Sequence, residues 1–150
     1  MYPVVLGTHN LVRWLIIGAG LWAVVLAWRG WARGGPWTSR EATATRAFVG
    51  LLDLQFLLGL ILYGISPLTR IAFRDMGAAM RDAPVRYFVV EHVVVMVLAI
   101  AAAHVGAVLI KRAPTDAARF QRASIWLAIA LAAVIGFVPW ARPLVPRFVL

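Results

Sequence analysis

Six ionisable side chains interrupt stretches that are otherwise apolar: His9, Arg13, Asp53, Glu91, His92 and His104. A bilayer raises the free energy of such groups by about 3 kcal/mol or more near its centre, so each needs a partner or a task. The types present allow three kinds of chemistry. Neutral imidazoles can bind iron, a carboxylate beside an imidazole can hold or pass a proton, and a guanidinium beside a carboxylate can lock two helices together. The sequence contains no cysteine, so disulfides, thiolate metal sites and cysteine-ligated clusters are excluded.

Long apolar segments carry these side chains. Of the 150 residues 63% are hydrophobic and 14% charged, whereas a soluble domain has about 25% charged. Four runs, at about 4–28, 47–66, 87–110 and 123–141, reach the ~20 residues that cross a bilayer as helix. The expected fold is all-α: an integral membrane four-helix bundle of one domain, antiparallel and up-down, with both termini on one side. The first run lacks the basic start and small-residue cleavage site of a signal peptide, so it reads as a span.

Local signals agree with this division. Pro3 suits a first helical turn, and Gly34-Gly35-Pro36 reads as a turn. Thr38 or Ser39 with Glu41 fits a helix cap, and Ser66-Pro67 reads as a stop. Gly18, Ala19, Gly20 and Ala23 in span one are small enough to admit a neighbouring helix, as are Ala128, Ala132 and Gly136 in span four. Between Arg70 and Arg86, apolar Ile71, Phe73, Met76 and Met80 alternate with charges, which suits a short helix at headgroup level. The tail from Arg142 to Arg147 is too proline-rich to continue a helix.

Alternating direction then sets which groups share a level. His9 and His92 both fall a few residues inside one face, whereas Asp53 and His104 both fall near the other. His92 and His104, separated by twelve positions, stand about 18 Å apart along their helix and cannot share a site. Two imidazoles facing across a bundle, with small residues nearby, are what a haem b requires for its axial bonds. Arg13 lies one turn from His9 on the same face, and Arg81 and Arg86 stand just outside this level, placed to meet propionates. Arg13 and Glu91 read as a structural ion pair whose disruption would strand a buried charge, at roughly 3–5 kcal/mol. A carboxylate is a poor axial ligand for such a haem, so Asp53 and His104 read as a hydrogen-bonded pair.

Taken together, His9-x3-Arg13-Trp14, Leu54-Gln55-x3-Gly59 with Tyr63 and Ser66-Pro67, Arg86-x-Phe88-x2-Glu91-His92-x3-Met96, His104-x-Gly106 and Pro139-Trp140 resemble the small four-span bacterial membrane proteins called cytochrome b. The pieces occur in order and cover nearly the whole chain. The resemblance implies haem b ligation and electron transfer in a respiratory-type membrane. It also leads one to expect a histidine where Asp53 stands.

The net charge of +9 does not indicate nucleic acid, because the arginines lie between spans, where topology and anionic lipids explain them. Eight basic residues fall on the side of the 29–46 and 111–122 loops and six on the other. That slight bias puts the termini outside a bacterial inner membrane. The expected role is an electron-transfer or structural subunit of a larger respiratory or photosynthetic complex, rather than an enzyme on its own. The alternatives are a haem-free structural subunit of such a complex and a small proton-coupled transporter or membrane enzyme using Glu91, Asp53 and His104. Against the transporter stand the missing inverted repeat and the unbroken third span.

Overall fold

The computed structural model describes residues 1–140, and all its regular structure is helical. The helices are α1 (Tyr2–Arg33), α2 (Ser39–Ile65), α3 (Pro67–Arg74), α4 (Met76–Arg81), α5 (Ala83–Arg86), α6 (His92–Lys111) and α7 (Asp116–Gly136). A π-helical turn over Tyr87–Glu91 joins α5 to α6. Four helices, Tyr2–Arg33, Ser39–Ile65, Ala83–Lys111 and Asp116–Gly136, are long and apolar enough to cross a membrane. The all-α four-helix reading therefore stands, although α2 and α7 begin several residues before the expected spans. The expected proline-rich tail, with Arg142 and Arg147, lies outside the described residues.

Side-chain caps explain several of these boundaries. Thr38 and Glu41 form a reciprocal capping box, with the Thr38 amide donating to Glu41 at 2.9 Å, so α2 starts at Ser39. Ser66 accepts from the Leu68 amide and Pro67 follows it, ending α2 and starting α3 in one step. Asp75 and Asp82 cap α4 and α5 through the amides of Ala78 and Val85. Thr115 caps α7 through the amide of Ala118.

The long helices form a ring in which α1 packs on α2 and α7, and α7 packs on α6. The α2–α6 seam that closes the ring is the thinnest. Only five residues separate α1 from α2 and four separate α6 from α7, and such short turns leave helices antiparallel. Phe48, Ile16 and Leu127 are the largest fully buried side chains, meeting where α1, α2 and α7 converge.

Close approach depends on particular glycines. A Cβ on Gly106 would lie 2.5 Å from Cβ of Trp126, and one on Gly20 would lie 2.7 Å from Cδ1 of Leu131. Gly18 and Gly136, read from the sequence as packing residues, have nothing within 4 Å of such a Cβ, and Ala132 is exposed. The buried stripe of α7 is instead Ala123, Leu127, Ala130, Leu131 and Val134. The three short helices cover one end, where Ala72, Ala79 and Val89 are buried together against Tyr63, Val85 and Val90.

Candidate functional site

The polar side chains gather at two levels, as their depths in the sequence require. The first lies at the end of the bundle holding the N-terminus, where His9 and His92 approach from α1 and α6. Each is partly buried, and Arg13 lies one turn beyond His9 along α1.

His92 sits at the first residue after the π turn, and its backbone amide donates to the Tyr87 carbonyl, five residues back. Its Nδ1 lies 3.0 Å from the Phe137 carbonyl at the end of α7. A carbonyl can only accept, so Nδ1 carries the proton and Nε2 keeps its lone pair. Tyr87 Oη donates to the same carbonyl at 2.6 Å, with its ring parallel to that of Phe137. On the opposite helix, Gln55 Nε2 donates to the His9 carbonyl at 3.0 Å, fixing α2 against α1 at this height. Nδ1 of His9 is buried with no hydrogen-bond partner. Gly59 faces that ring, since a Cβ there would sit 3.6 Å from His9 Cε1.

Arg13 is buried in α1 at 5% exposure, its guanidinium 5.6 Å from the centre of the Trp14 ring. The sequence reading paired it with Glu91, but Glu91 is bonded to Arg86, Nε to Oε1 at 2.6 Å. The π turn is the cause. Residues five apart lie ~140° from each other around an α-helix, whereas the wider π turn returns to nearly the same face after five. Arg86 also donates from Nη1 to the Met80 carbonyl at 2.9 Å, which ties α4 to the start of the third span. Its Nη2 is not engaged in either bond.

Tyr63, at the end of α2, donates from Oη to the Val89 carbonyl inside the π turn at 3.0 Å. Thr69 in turn donates to the Tyr63 carbonyl at 2.7 Å. The π turn is thus held from α2 on one side and, through Tyr87 and His92, from the end of α7 on the other.

The second level is the Asp53–His104 pair, bonded Oδ1 to Nε2 at 2.7 Å across the thin α2–α6 seam. The sequence paired these two correctly by depth. Their side chains are 48% and 51% exposed, so the pair looks outward from the bundle rather than into it.

Fold and site together define a multi-pass helical membrane protein with a partly buried histidine level at one end and an outward-facing Asp–His pair towards the other. The chain matches no family model, no curated protein and no solved structure.

Proposed function

We propose that the chain is a cytochrome-b-like membrane subunit that holds one haem b between His9 and His92. The observation that carries this reading is the state of the two imidazoles. His92 donates Nδ1–H to a main-chain carbonyl, which leaves Nε2 directed elsewhere with its lone pair; that is the tautomer metal-bound histidines adopt. His9, at the same end of the bundle, has an unpartnered buried ring nitrogen and lies against Gly59, which has no side chain to fill the space. The donor set therefore fits a bis-imidazole axial pair in kind. A haem held there would cycle one electron between ferrous and ferric iron. Arg13, buried one turn from His9, and Arg86, six residues before His92, are the cations nearest in sequence to the two imidazoles and would face the propionates.

The same reading places the chain in a bacterial cytoplasmic membrane, with both termini outside, as a subunit of a larger respiratory or photosynthetic electron-transfer assembly. The slight excess of basic residues in the 29–46 and 111–122 loops supports the orientation. The test is a pyridine haemochrome spectrum of the purified protein. A b-type spectrum that disappears in His9→Ala and His92→Ala, with helical circular dichroism retained, is the expected result. An intact protein with no b-type absorption removes the haem claim.

One observation favours a second reading, a haem-free structural subunit of such an assembly. Asp53 stands where the resemblance leads one to expect a histidine, and its carboxylate is closed onto His104. Gene deletion separates the two readings. Loss of a scaffold weakens assembly of the complex, whereas loss of a carrier leaves it assembled and slow.

A further inference from the structure

The Asp53–His104 pair stands seven residues from Arg46 along α2 and seven from Lys111 along α6. Seven residues of helix are about 10 Å, so the pair lies well inside a hydrocarbon layer ~30 Å thick. Ionisable side chains at such depth face the interior of an assembly or pair with one another. These two do pair, yet about half of each remains open to the outside. Asp53 Oδ2 and His104 Nδ1 make no hydrogen bond to any described residue.

The proton arithmetic of the pair decides what it presents. One proton sits between Nε2 and Oδ1. A second, needed for the pair to be neutral overall in a low-dielectric medium, resides on either Nδ1 or Oδ2. In both arrangements the outward side shows one donor and one acceptor. Such a pair is complementary to its own copy: under a two-fold axis along the membrane normal, each donor meets the other's acceptor at the same depth.

The surrounding surface is suited to the same contact. The membrane-crossing portions of α2 and of the Ala83–Lys111 span are 17% and 22% buried, against 44% for α1 and 39% for α7. Along α6, exposed Val94, Val97, Ala101, His104 and Val108 recur at alternating steps of three and four residues, the seam through which left-handed helix pairs interlock. On α2, Gly50 stands open with nothing near it, one turn from Asp53.

We infer that two copies of this chain associate through the α2/α6 face, with the two Asp53–His104 pairs closing a ring of hydrogen bonds across the axis. The inference is independent of haem binding. Because the chain has no native cysteine, single substitutions report the interface directly in membranes. Val97→Cys, Ala101→Cys and Val108→Cys are expected to give a disulfide-linked species of twice the chain mass. Leu15→Cys on α1 and Ile129→Cys on α7, both exposed, are expected to remain single.

In detergent, native mass spectrometry is expected to show a dimer whose dissociation constant rises about tenfold or more in Asp53→Ala, the scale of two interhelical hydrogen bonds in a membrane. The exchange Asp53→His with His104→Asp keeps one donor and one acceptor and is expected to restore association. If Asp53→Ala fails to fold, the cross-linking series decides by itself. A monomer in both assays, equal cross-linking at Leu15 and Ala101, or a disulfide from α6 to a different polypeptide would each overturn the proposal.

Discussion

At the end of the bundle that holds the N-terminus, His92 gives its Nδ1 proton to the Phe137 carbonyl and keeps a free Nε2 in a partly buried setting. Towards the opposite end, His104 uses its Nε2 on the Asp53 carboxylate and faces outward. Both rings project from the third span, so the difference arises from their neighbours rather than from their helix. A main-chain acceptor fixes a tautomer without adding charge, which leaves the imidazole able to bind a metal or ligand. A carboxylate instead occupies the ring's Nε2 and leaves the pair's remaining donor and acceptor facing outward. The first arrangement suits a cofactor inside the bundle, and the second suits a contact between bundles.

The sharpest break between the two levels comes from replacing each imidazole. His92→Ala is expected to abolish b-type absorption, and His104→Ala is expected to leave it intact, as measured by haemochrome spectra on equal amounts of folded protein. A spectrum that survives His92→Ala and vanishes with His104→Ala would reverse the assignment of the two levels.

A smaller effect separates the two sides of α6 near His104. His104 looks outward, and Gly106, two positions on, is pressed against Trp126. Gly106→Leu forces this contact apart and is expected to destabilise the fold by about 1–3 kcal/mol. Gly18→Leu, in open space on α1, is expected to stay within about 0.5 kcal/mol. Denaturation in mixed detergent measures both.

Much of this contrast was legible in the sequence, and its gaps have physical reasons. Asp53 and His104 could be paired because depth in a bilayer is a one-dimensional coordinate, counted directly from the ends of apolar runs. The capping box of Thr38 and Glu41 and the stop at Ser66-Pro67 are local, so residue type suffices for them. The caps at Asp75 and Asp82 are equally local, each an aspartate three residues before the amide it accepts from. Three features were not legible. The partner of His92 is a backbone carbonyl, and every residue has one. The π turn over Tyr87–Glu91 carries no glycine or proline within it, and it turns Glu91 toward Arg86 instead of Arg13. The outward orientation of His104 depends on the order of helices around the ring, which alternating direction does not determine.

The π turn has its own measurable support. Tyr63→Phe removes the hydroxyl that reaches the Val89 carbonyl and is expected to cost about 1 kcal/mol of stability, the ordinary worth of one such bond. Hydrogen exchange is expected to quicken over Tyr87–Glu91 and not around Asp53. Unchanged exchange at the turn would mean that Tyr63 does not hold it.

The smallest expected effect tests what the Asp53–His104 pair needs. In Asp53→Asn the side-chain carbonyl still accepts from His104 Nε2–H, so the bond across the α2–α6 seam persists without a formal charge. The asparagine amide then points a donor outward, and neutral His104 offers Nδ1 as an acceptor, so the outward side again shows one of each. Stability and dimer affinity in detergent are therefore expected to change by less than about 0.5 kcal/mol, the range of substitutions that leave packing and hydrogen bonding intact. Asp53→Leu, similar in bulk but unable to accept, leaves Nε2–H of His104 without its acceptor in the hydrocarbon and is expected to lose the association. If Asn behaved as Leu does, a carboxylate charge would be required at this level. The pair would then resemble a proton-handling site more than a contact, and the distinction between the two ends of the bundle would have to be redrawn.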